Sequence, residues 1–201
     1  MYRPRAFAVD DAATLHEFIR VHPFAAIAAV VEGRVLFAYA PVVIDAAGVL
    51  RFHLARINPL ATLADGTPLR LSFLGPDAYV SPDWYASAAM VPTWNYAAVE
   101  AEGPLRLLDE DGLRQLLIDL SAAEEEKLLP KKPWTLDKLP EERMRALFAA
   151  IRGFAVAPET LEGKFKLSQD KKPEDFDGVL RGLDARGERG VAAAMRAAKL
   201  L

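Results

Sequence analysis

Four blocks of this 201-residue chain carry side chains able to hold an anion or a planar ligand. Arg20-Val21-His22-Pro23-Phe24 sets two potential cations at a helix end just before a strand, where basic side chains could equally cap the helix. Val49–Arg56 reads as a strand with Arg51 and His53 on one face and Phe52, Leu54 and Arg56 on the other. Polar groups on both faces suggest an anion or an interface, or else an edge strand with solvated ends. Gly75–Tyr96 concentrates Tyr79, Trp84, Tyr85, Trp94 and Tyr96 with Ser81, Thr93 and Asn95. Flat rings interleaved with short hydrogen-bonding side chains suit either a stacked heteroaromatic ligand or a dimer interface. Finally, GKFKLSQ alternates Lys164 and Lys166 against Phe165 and Leu167, followed by Ser168 and Gln169, so the lysines could reach a phosphate while the apolar face packs.

Other chemistries are discouraged. The chain has no cysteine, which removes disulfides, thiolate metal sites and a cysteine nucleophile. His16, His22 and His53 show no HExxH spacing, and no metal site is expected. There is no GxGxxG after a strand, no GxxxxGK[ST] and no GxSxG. A net charge of −3 argues against a strongly basic nucleic-acid binder, although a dimer could still gather basic residues on one surface. The longest apolar run, Phe24–Val31, falls far short of the roughly 20 residues of a membrane-spanning helix, and no signal peptide is evident, so a cytoplasmic protein is expected.

The elements that must position these blocks follow from periodicity and turn chemistry. A helix is predicted from Asp10 or Asp11 to before Pro23. Strands at Phe24–Val31, Arg34–Ala40 and Val49–Arg56, with turns at Glu32–Gly33 and Asp45–Gly48, read as an antiparallel meander. A helical turn opens at Asn58-Pro59, and a strand spans Leu69–Leu74. Gly75–Asn95 reads as an ordered loop with a short helix from Pro82, and Thr93–Glu100 and Pro104–Leu108 as strands about a Glu102-Gly103 turn. Helices follow after Asp109–Asp111 and over Glu141–Ile151, then a strand near Phe154–Ala157, then two helices separated by Gly187 and Gly190. Short antiparallel strands with segregated helices predict an α+β barrel or roll as one domain, with a helical extension over about 173–201.

The same blocks carry a resemblance. MYRPRAF, LHEFIRVHPFA, HLARIN-P, GPDAYVSPDWY, VPTWNYAAVEAEG and EGKFKLSQD, in this order, resemble the PaiB-like family of FMN-binding negative transcriptional regulators. That resemblance implies an FMN-binding split β-barrel related to the pyridoxamine-phosphate oxidases, an antiparallel six-stranded barrel with peripheral helices. It implies a cytoplasmic homodimer with FMN in clefts between the subunits. Carried over by position, the flavin-site candidates are His22, Pro23, Phe24, His53, Arg56, Asn58, Ser81, Trp84, Tyr85, Thr93, Trp94, Asn95, Lys164, Lys166, Ser168 and Gln169. Arg56 and a lysine would take the 5′-phosphate, Thr93 and Asn95 polar edges, and Trp94 or Trp84 the ring. Glu100 stands where the family pattern has histidine, and Asp170 where it has asparagine.

Three functions compete. One is a flavin-binding regulator with DNA as partner; no helix-turn-helix is evident, although the last helices offer Arg196 and Lys199. Another is an FMN-dependent oxidoreductase, in which the cofactor supplies the redox chemistry. The third is a haem-binding relative using His22 or His53 as axial ligand.

Overall fold

A computed structural model describes residues 1–198, and Lys199 lies outside the described residues. In chain order the elements are β1 (Ala8–Val9), α1 (Ala12–Val21), β2 (Phe24–Val31), β3 (Arg34–Pro41), β4 (Val43–Ile44) and β5 (Leu50–Ala55). They continue with β6 (Pro68–Val80), β7 (Thr93–Leu107), α2 (Glu110–Glu126), α3 (Glu141–Ala150), β8 (Ile151–Val156), β9 (Thr160–Lys166), α4 (Pro173–Arg186) and α5 (Arg189–Ala198). The architecture is α+β, as predicted. The sheet, however, has nine strands and is not closed into a six-stranded barrel among the described residues.

The chain forms two compact units, one of residues 19–73 and 100–161, the other of residues 1–18, 74–99 and 162–198. In the first, β2 and β3 make a hairpin in register from Phe24↔Pro41 to Val31↔Arg34. Glu32 (φ 49°) and Gly33 (φ 74°) occupy the left-handed region that a two-residue hairpin turn requires. The expected meander stops there. β5 pairs with β4 and β8 instead of β3, from Leu50↔Val156 to Ala55↔Ile151, and β8 also pairs with β7. Phe52 and Phe154 stack at 5.3 Å in the core of this unit. The strand is bounded at Ala55, one residue short of the predicted end, and the Arg56 N–H still donates to the Ala150 carbonyl at 2.9 Å.

Helix α2 opens on Asp109, whose carboxylate accepts the Gly112 N–H at 2.8 Å. It lies on β5, with the Arg51 guanidinium donating to Asp119 at 2.7 Å. The predicted Glu102-Gly103 turn is absent, because β7 runs through it unbroken.

In the second unit, Asp11 caps α1 by accepting the Thr14 N–H at 2.8 Å, which matches the expected helix start. β1 pairs with β9, and β9 with β7. β6 extends to Val80, six residues past the predicted end at Leu74 and into the expected loop, before Pro82–Trp84 forms a 3-10 turn. Pro173 starts α4, and Gly187 (φ 79°) ends it while Glu188 N–H returns to Leu183 O at 3.0 Å. Gly190 sits inside α5 and separates nothing, contrary to expectation. Phe176, Val179, Leu183, Val191, Ala192 and Met195 from the two helices pack together with Val80 and Tyr85.

Asp175, buried in the first turn of α4, accepts the Ser87 N–H at 2.8 Å and the Ser87 hydroxyl at 2.7 Å. Those donors hold its carboxyl below the ordinary 3.8. A depressed carboxyl stabilises the fold above its unfolded value, and this contribution disappears as pH falls through the folded one. Asp175→Asn is therefore expected to lower the thermal midpoint at pH 7, with the difference from the parent shrinking as pH drops below about 3.8. Parallel melting curves at every pH would refute this.

Candidate functional site

The candidate residues fall into two groups, one in each unit. In the first unit, His22 and Pro23 are half-buried at the end of α1, and Phe24 is exposed on β2. His53 is half-buried on β5, the strand face that also carries Arg51 and lies under α2. Its Nδ1 is buried with no hydrogen-bond partner among the described residues. Burial lowers the pKa of both histidines below 6.5, which favours the neutral ring. Asn58 caps the turn that follows β5, its Oδ1 accepting the Leu60 N–H at 2.9 Å. Exposed Arg56 lines a cavity of about 450 Å³ that also receives Arg114, Arg145 and Arg152.

The second unit gathers more of the set. Tyr85, Thr93, Asn95, Lys166 and Ser168 line one cavity of about 140 Å³. Lys166 Nζ donates to Thr93 Oγ1 and to the Trp94 carbonyl, each at 2.6 Å. Burial is the main cause that pushes its pKa below 10.5. Asn95 is fully buried and its Nδ2 donates to Ser168 Oγ at 2.9 Å. Ser168 sits at φ 63°, a conformation costly for a non-glycine residue, so its hydroxyl is placed by the surrounding structure. Burial raises the Tyr85 phenol above 10, with Ser168 as a hydrogen-bond partner. Gln169 Oε1 accepts the Leu167 N–H at 2.8 Å, tying down the end of β9.

Three of the candidates are occupied otherwise. Ser81 Oγ accepts the Asp83 N–H and caps the 3-10 turn. Trp84 lies against Gly178 and Gly182 of α4. Lys164 Nζ is 5.1 Å from the Tyr2 ring and 5.3 Å from the Tyr96 ring, a cation between two π faces. Trp94, by contrast, is 53% exposed, with its ring edge-on to Tyr79 at 6.3 Å. Spacing alone could not distinguish the two tryptophans.

Sequence reasoning left out Phe7, Met90 and Lys171, which line the same cavity. Lys171 was detectable only as one charge in a lysine-rich run. The two departures in charge are both matched: Glu100 lies 3.5 Å from Arg70, and Asp170 lies 3.0 Å from Lys171.

The donor set of this cavity, two ammonium groups with amide and hydroxyl groups beside the Asp170 carboxylate, fits the phosphate and polar edges of a flavin nucleotide. Its volume is below the roughly 300–1,000 Å³ of sites that enclose a whole cofactor. Residues 1–159 match a protein family described as "Putative FMN-binding domain". Protease synthase and sporulation protein PAI 2 of Bacillus subtilis is 30% identical over 91% of this chain and 89% of its own. Among solved structures, the FAD and haem binding protein of Mycobacterium smegmatis has a TM-score of 0.60 at 18% identity, covering 79% of this chain and 73% of that one. The flavocytochrome Anf3 of Azotobacter vinelandii has a TM-score of 0.59 at 16% identity, covering 82% and 72%. The chain therefore belongs to the FMN-binding family that includes the PAI 2 protein, and its fold is that of the split-barrel flavoproteins.

Proposed function

We propose that this protein is a homodimer that binds FMN in clefts between its subunits and acts, with flavin bound, as a cytoplasmic negative regulator of transcription. One observation carries the dimer. The hairpin β2–β3 buries Ala25, Ile27, Ala38 and Ala40, yet its other face is apolar too and open. On that face Phe37 is 60% exposed and Tyr39 66%, alongside Phe24, Val30 and Val35. A contiguous aromatic and β-branched patch on a sheet is what an obligate interface covers. A cavity of only 140 Å³ supports the same reading, since the tricyclic ring needs a second wall.

In this reading Lys166 supplies a charge-assisted contact to the phosphate, Thr93 and Asn95 present polar edges, and Trp94 packs on the ring, while Arg56, in the other unit, is a separate candidate for the phosphate. The flavin, when bound, supplies electron-transfer chemistry. The protein's residues bind, orient and exclude water. The exposed arginines of α4 and α5 are the surface offered to DNA, with Arg181 and Arg189 among them.

Light scattering and an absorbance spectrum test the first part: a dimer with flavin bands is expected, and a monomer that takes up no added FMN would overturn it. A Soret band would point to haem instead. A salt-sensitive shift of promoter DNA supports regulation. Bleaching by a reduced nicotinamide without any DNA shift would make the protein an oxidoreductase. Arg56→Ala is expected to weaken FMN binding about tenfold or more by fluorescence titration. Unchanged affinity would remove Arg56 from the phosphate site.

A further inference from the structure

The connection between α2 and α3 folds back on the C-terminal half of α2 and leaves a cavity of about 460 Å³, well within the range of roughly 300–1,000 Å³ seen for small-molecule sites. Ile118 and Ala122 of α2 form one wall, and Leu129, Trp134 and Leu136 form the other. α2 is otherwise a strongly acidic helix, and a solvated acidic helix does not require Ile118 and Leu129 to be left exposed beside a tryptophan. The polar groups at this cavity include two carboxylates, Glu126 and Asp137.

The wall is held mainly by residues next to these two carboxylates. Glu125, the neighbour of Glu126, accepts the Trp134 N–H at 2.8 Å and pairs with Lys131. Lys138 Nζ donates to the Pro133 carbonyl at 2.9 Å. Lys127 pairs with Glu124 at 2.7 Å. Lys131 and Lys127 are thus engaged by other carboxylates, Lys138 and Lys132 act on Asp137, and both Glu126 and Asp137 border an apolar space. Asp137 receives a hydrogen bond from Thr135, which favours its ionised form.

We propose that this cavity binds a small organic cation, an aromatic primary amine whose ring lies against Trp134 and Leu136 and whose ammonium meets Glu126 and Asp137. Charge decides the class: an aromatic carboxylate of the same shape would place like charges together. The indole adds a ring–ring contact to the apolar burial. This site stands apart from the flavin reading and does not depend on it.

Calorimetric titration of the full chain with phenethylamine, and separately with 3-phenylpropionate, tests the proposal. Saturable one-to-one binding of the amine is expected, with the carboxylate at least about tenfold weaker and the preference falling as salt rises. Glu126→Gln/Asp137→Asn, both at exposed positions, should bring the two ligands within about twofold of one another. Trp134→Ala should weaken the amine about tenfold. If that variant fails to fold, Ala122→Trp, which fills the cavity from an exposed helical position, should abolish binding while leaving far-UV circular dichroism unchanged. Absence of saturation by about 10 mM phenethylamine, equal affinity for both ligands, or a preference that survives the double substitution overturns it.

Discussion

Phe37→Glu/Tyr39→Glu is expected to turn the proposed dimer into a folded monomer and to release flavin bound at the proposed interface. Both side chains lie on β3, where the period of two sends Ala38 and Ala40 into the core and Phe37 and Tyr39 to the open face. Register places Phe37 opposite Ala28 and Tyr39 opposite Ala26, so the two rings project from a floor of small residues that another surface can approach closely. Covering one large apolar side chain is worth about 1.5–3 kcal/mol. Losing two of them while forcing carboxylates into the interface should weaken association by about a thousandfold or more. The fold itself should be little affected, because the rings contribute little to the core of their own chain. Light scattering reads the oligomer and flavin fluorescence reads the cofactor. A variant that remains dimeric would sink the interface assignment, whereas a monomer that retains FMN would separate the cofactor site from the interface.

Gly178→Val should markedly destabilise the unit built on α4 and α5. A Cβ on Gly178 would lie 2.0 Å from the Trp84 carbonyl oxygen, and one on Gly182, a turn later, 2.3 Å from the indole Cδ2. The two glycines make a groove in α4 that receives the Pro82–Trp84 turn, and a branched side chain fills it. Backbone cannot rotate away as a flexible side chain can. The helix must therefore lift, uncovering Phe176, Val179 and Leu183. Overpacking of this kind costs about 3 kcal/mol or more, which is a fall of roughly 6–12 °C in thermal midpoint for a chain of this size. The position is one where helix propensity alone would favour the substitution, since glycine is the poorer helix former. A midpoint within about 2 °C of the parent would show that the groove is not needed.

The flavin candidates show how far local sequence carries. Lys166, Ser168, Thr93 and Asn95 come from strings that read as ligand-binding, and the fold does bring them to one cavity. Trp84 and Trp94 had the same claim on a ring, yet Trp84 is clamped by two glycines nearly a hundred residues away while Trp94 stays in the open. His53 looked like a ligand on a strand face and proves to share the face that carries α2. None of these distinctions depends on a residue's neighbours in sequence.

Elements governed by their own backbone chemistry were legible. Asp11 and Thr14 start α1, Glu32-Gly33 turns the hairpin, and Pro173 and Gly187 bound α4, because caps and turns are satisfied within a few residues. The segment from Gly75 to Leu107 was not. Gly103 looked like a turn glycine, but it lies mid-strand where an added Cβ would be 2.6 Å from the Ala157 carbonyl, so its role is close approach of distant backbone. Pro76 lies beyond the four residues of β6 that pair with β2, so the strand continues past it without losing a bond on that ladder. Family, cofactor class and most helix ends were thus determined by the sequence itself, through motif order and short-range hydrogen bonding. Strand partners, the exposed aromatic face and the identity of the free tryptophan were decided only by tertiary structure, because each depends on which remote surface reaches that residue and which leaves it bare.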